Sequence, residues 1–106
     1  MCLRELCIFF SIHSVQPLDL LEVLAEKGCN QVLWECGPSL ATAAIKQNCV
    51  QEIAVVMAPK LLGGVLGNSP LSDFGFTSID EAIELEKASI NKIGKDTVLH
   101  MLFPTA

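Results

Sequence analysis

The chain has 106 residues, of which 51% are hydrophobic and 18% charged, with a mean hydropathy of +0.48. This composition predicts one folded domain and excludes a disordered polypeptide. The formal net charge is -5 and the seven basic residues do not cluster, which argues against nucleic-acid binding. The longest apolar runs, Leu6–Ile12 and Ile53–Ala58, are too short to cross a membrane. We therefore expect a cytoplasmic chain with no membrane association.

The cysteines indicate reduced thiols rather than a disulfide framework. They number five, and none forms a C-x-x-C pair with another. His13 and His100 stand apart from them, so no metal site is predicted.

The first half of the chain alternates predicted strands and helices. Ile8–Ile12 is β-branched and aromatic, which is typical of a short buried strand. The leucine spacing that follows Pro17 predicts a helix that ends at Gly28. A short apolar strand is predicted at Gln31–Trp34, and a turn then leads to a second helix over Leu40–Gln47.

The second half begins with a strand and ends with a hairpin. Glu52–Ala58 is a continuous apolar run that we interpret as a central parallel strand with both faces covered. The alternation of strands and helices up to this point predicts an α/β fold. Glu84–Ile93 and Thr97–Phe103 flank a glycine turn and predict an antiparallel β-hairpin. The last strand is apolar on both faces, so it is either interior or pressed against a partner.

The turn between the second predicted strand and the second helix is the strongest candidate for a functional site. At such a turn, backbone N–H groups and the positive end of the helix dipole meet, and this geometry binds phosphate without basic side chains. Gly37 would allow a ligand to approach the backbone, Ser39 offers a hydroxyl group, and Glu35 could accept hydrogen bonds. A tight turn with a solvated Glu35 explains the same residues, and both interpretations stay open from the residues alone.

Three other features are weaker candidates. Gly63–Gly67 lacks the lysine and hydroxyl residue of a P-loop, which favours a surface loop over a phosphate cradle. Lys60 could reach a crevice at the carboxyl edge of the sheet, although a solvated lysine is the simpler interpretation. Cys36 lies beside a helix N-terminus, where thiol nucleophilicity rises, but no histidine lies nearby in sequence to act as its base.

Three motifs, in this order along the chain, resemble those of one known family. They are Leu20-Leu21-x-x-Leu24-Ala25-Glu26-Lys27-Gly28, Val32-Leu33-Trp34-Glu35-Cys36-Gly37-Pro38-Ser39-Leu40-Ala41, and Ala58-Pro59-Lys60-Leu61-Leu62-Gly63-Gly64. Together they resemble the reductase domain of the bifunctional riboflavin-biosynthesis deaminase–reductase, in register from about Pro17 to Phe103.

The resemblance implies a fold, a reaction and a set of binding residues. The implied fold is a partial dihydrofolate reductase-like three-layer α/β/α arrangement with a C-terminal antiparallel β-hairpin. The implied reaction is NADPH-dependent hydride transfer to C1′ of the ribosyl group of 5-amino-6-(5-phosphoribosylamino)uracil. Glu35 matches the family's substrate-contacting glutamate, and no catalytic residue is assigned. The residues that fall on the family's NADPH-binding turn and helix start are Gly37, Pro38, Ser39, Leu40, Ala41, Thr42 and Ala43.

The chain also departs from the family pattern. Cys36 stands where many members have glycine, and the resemblance covers the second half of a domain about twice this length. Residues 17–106 are therefore expected to form the C-terminal half of a reductase domain, preceded by an atypical segment at 1–16, with little or no turnover alone. The alternative is a non-catalytic remnant that dimerises or binds a nucleotide weakly. The apolar excess and the two-sided tail strand predict a homodimer that buries part of the hairpin.

Overall fold

The computed structural model describes residues 16–64 and 69–104. The predicted strand Ile8–Ile12 lies outside the described residues. The elements are, in chain order, α1 (Pro17–Glu26), α2 (Pro38–Lys46), β1 (Glu52–Met57), a 3₁₀ turn (Ile79–Glu81), β2 (Lys87–Ile93) and β3 (Asp96–Leu102). Helices and a sheet together confirm the α/β class. None of the helices within the described ranges is long and apolar enough to span a membrane.

The chain divides into two compact units, and the first holds both helices. Its described part comprises residues 16–49 and 70–72. α1 begins at the buried Pro17, where the missing N–H of proline costs no hydrogen bond. It ends as predicted, because Gly28 takes a φ of +85° and the Cys29 N–H reaches back to the Leu24 carbonyl at 3.0 Å.

α2 packs against α1 in the same unit. The predicted helix is confirmed, although it begins at Pro38 rather than at Leu40. Thr42, Ala44 and Ile45 form its buried face, and Asn48 ends it with a φ of +56°. The small alanine side chain allows close packing on this face.

The predicted strand at Gln31–Trp34 is wrong. Residues 29–37 have no regular secondary structure, and Leu33 is 84% exposed. A strand exists only when another strand accepts and donates its hydrogen bonds. The sheet of the described residues contains β1, β3 and β2 alone, in that order, so this apolar segment has no place in it.

The second unit holds the sheet, with residues 50–64, 69 and 73–104 as its described part. β2 and β3 form the predicted hairpin, and Gly94 takes a φ of +62° in its turn. β1 is also present, but its predicted parallel and central position is wrong. It pairs with β3 in the antiparallel direction and lies at one edge of the sheet that the described residues form. Its faces are not both covered, since Val56 is 64% exposed.

β3 is the middle strand of this sheet. Leu99 stands opposite Val55 on one side and Ile90 on the other. The side chains of β3 are half-buried from Asp96 to Met101, and the homodimer that buries part of the hairpin stays a prediction.

Candidate functional site

The candidate site is one continuous segment that leads from an exposed loop into α2. Glu35 and Cys36 are exposed. Gly37 is the residue before the first helical turn and has an extended backbone, with φ -75° and ψ 175°. The structure therefore brings Glu35 and the start of α2 together through their sequence proximity.

The N-terminus of α2 presents backbone N–H groups that have no acceptor within the helix. No side chain among the described residues caps it, and its first turn contains no acidic residue. The first backbone N–H with a partner inside the helix is that of Ala41, which donates to the Gly37 carbonyl at 3.1 Å. The N–H groups of Ser39 and Leu40 precede it and have no intrahelical acceptor. These donors and the positive end of the helix dipole favour an anion at this position.

Gly37 is not required by the packing of the described residues. A Cβ built on it would meet no atom within 4 Å, and its φ is one that any residue adopts. The space beside its backbone is consistent with close approach of a bound group, which is the use that the sequence predicts for it.

Thr42 has a structural partner inside the first unit. Its side chain is 4% exposed, and Oγ1 accepts a hydrogen bond from the Ser72 N–H at 2.8 Å. The hydroxyl therefore holds residues 70–72 against the helix. The other residues of the predicted cofactor set differ in exposure: Gly37 and Ser39 are exposed, and Pro38, Leu40, Ala41 and Ala43 are half-buried.

Sequence reasoning missed the role of Gln47. Its Oε1 accepts from the Leu18 N–H at 3.1 Å, and its Nε2 donates to Gln16 Oε1 at 2.6 Å. Gln47 thus caps α1 from the end of α2. A glutamine at a helix end carries no sequence signal for such a contact, since its partners lie 29 and 31 residues away.

Lys60, the loop at Gly63–Gly67 and the cysteines are the weaker candidates. Lys60 is exposed and belongs to the second unit. Gly63 is exposed with a φ of +80°, while residues 65–68 of its loop lie outside the described ranges. Burial raises the pKa of the Cys49 thiol, which keeps it protonated and poorly nucleophilic. The described part of the chain contains no group of three His, Cys, Asp or Glu residues that could hold a metal ion.

Comparison with known proteins identifies one family. Residues 2–99 match the RibD C-terminal domain. The chain is 38% identical over 85 residues to the riboflavin biosynthesis protein RibD of Synechocystis sp., covering 80% of this chain and 23% of that protein. It is 29% identical to the chloroplastic riboflavin biosynthesis protein PYRR of Arabidopsis thaliana, covering 80% of this chain and 14% of that protein. The chain thus spans less than a quarter of these two relatives.

Proposed function

Because the chain belongs to the RibD C-terminal domain family, we propose that it acts in riboflavin biosynthesis as part of a reductase. The proposed reaction is hydride transfer to C1′ of the ribosyl group of 5-amino-6-(5-phosphoribosylamino)uracil. NADPH would supply the hydride when bound. The residues of this chain would bind the two molecules and orient them.

The proposal extends to the finer architecture and the location of the chain. Residues 17–106 would form the second half of a dihydrofolate reductase-like three-layer α/β/α domain, with residues 1–16 as an atypical segment ahead of it. The site of action would be the cytoplasm. The α/β class and the hairpin of β2 and β3 support this fold.

The observation that carries the cofactor proposal is the uncapped N-terminus of α2. The N–H groups of Ser39 and Leu40 would donate to phosphate oxygens of NADPH, and the helix dipole would favour the phosphate charge. This mode of binding suits a chain with a single arginine. The proposed cofactor contacts are Gly37, Pro38, Ser39, Leu40, Ala41, Thr42 and Ala43. Of these, Thr42 would act indirectly, because its hydroxyl group holds the helix in place.

Glu35 is the proposed substrate contact. Its exposed carboxylate lies two residues before Gly37, and an ionised carboxylate accepts hydrogen bonds only. It would therefore accept from N–H groups of the pyrimidine or O–H groups of the sugar. This role orients the substrate, and no proton transfer is assigned to it.

A second candidate function is a non-catalytic module that dimerises or binds a nucleotide weakly. The observation that favours it is the exposure of large apolar side chains, including Leu33 at 84%, Leu62 at 90% and Ile79 at 87%. Hydride transfer depends on exact positioning of two molecules, so a partial pocket is expected to give very low turnover. The two candidates therefore differ in cofactor affinity and turnover.

Calorimetric titration of the chain with NADPH tests the proposal. We expect micromolar binding by the wild type and none by Gly37→Val, because the added branches would occupy the space beside the backbone. Gly37→Ala is the graded control, with intermediate affinity. Both variants should lose no more than about 1 kcal/mol of unfolding free energy, the scale of a change at the first residue of a helix. Absence of wild-type binding at millimolar NADPH would contradict the cofactor proposal and favour the non-catalytic module.

A further inference from the structure

We draw no further inference here: the strongest candidate, the apolar face of the sheet on which Val55, Leu99 and Ile90 lie side by side, carries none, because nothing in the part of the chain that the structure describes shows what covers it.

Discussion

The two helices begin alike in sequence and differ in how their first turns are satisfied. Each has proline at its first position. In α1, Gln47 accepts the hydrogen bond of the Leu18 N–H, and Asp19 places a carboxylate in the first turn. In α2, no described side chain caps the helix and no acidic residue lies in the first turn. Among the described residues, a side chain closes the first turn of α1, and none closes that of α2.

The contacts that anchor α2 lie away from its uncapped first turn. A helix whose first turn has no side-chain cap depends on anchoring contacts elsewhere. α2 has one in its middle, where the Thr42 hydroxyl accepts the Ser72 N–H, and another just past its end, where Gln47 contacts Leu18 and Gln16. Changes at these anchors should affect stability, whereas changes in the first turn should affect binding.

The largest effect on stability is expected at Thr42. Thr42→Val keeps the shape of the side chain and removes the acceptor, which leaves the Ser72 N–H unpaired. We expect a loss of about 1–3 kcal/mol in the free energy of unfolding, measured by urea denaturation. Thr42→Ser keeps the hydroxyl group and is the matched control, with a smaller loss. Equal stability of the wild type and Thr42→Val would show that the contact does not anchor α2.

A smaller effect is expected at Gln47. Gln47→Ala removes the acceptor that caps α1 and should cost about 1 kcal/mol of unfolding free energy, as loss of a helix cap does. Gln47→Glu keeps an acceptor oxygen at the positive end of α1, but it places a negative charge at the C-terminus of α2 and loses the donor to Gln16, so it should recover only part of the loss. Equal stability of the wild type and Gln47→Ala would show that Gln47 does not stabilise the start of α1.

Elements that depend on nearby residues were predictable from the sequence. The end of α1 follows from Gly28, whose left-handed conformation is accessible to glycine at no steric cost. The hairpin follows from Gly94 between two strand-like segments. In both cases, the signal and the structure it produces lie within a few residues of each other.

Elements that depend on distant residues were not predictable. Gln31–Trp34 has a strand-like composition, but a ladder needs a partner that no local pattern reveals. Whether β1 is parallel or antiparallel depends on the strand beside it. That strand is β3, which lies more than forty residues further along the chain and pairs Met101 with Ile53. Apolar composition predicts that a segment is a strand, and it does not predict the direction of pairing.

The candidate site is partly local, which is why part of it could be predicted. Glu35, Gly37 and Ser39 are neighbours in sequence, and Pro38 marks the first helical position after Gly37. The partner of the Thr42 hydroxyl is 30 residues away, so its buried position could not be read from the motif. Sequence reasoning therefore grouped the buried Thr42 with residues that are exposed or half-buried.

The smallest change in stability, and the sharpest test of the difference between the two helices, is expected for Ser39→Asp. This variant gives the first turn of α2 the carboxylate that α1 has at Asp19. A negative charge near the positive end of the dipole should stabilise the fold by about 0.3–1 kcal/mol, measured by thermal unfolding without ligand. The same charge should repel a phosphate group and lower NADPH affinity about tenfold or more, which corresponds to about 1.4 kcal/mol of binding free energy. Ser39→Asn is the uncharged control, and it should show neither the gain in stability nor the tenfold loss of NADPH affinity. General damage to the fold cannot produce this result, because stability and affinity must change in opposite directions. An unchanged NADPH affinity of Ser39→Asp would mean that the NADPH phosphates do not bind at the first turn of α2.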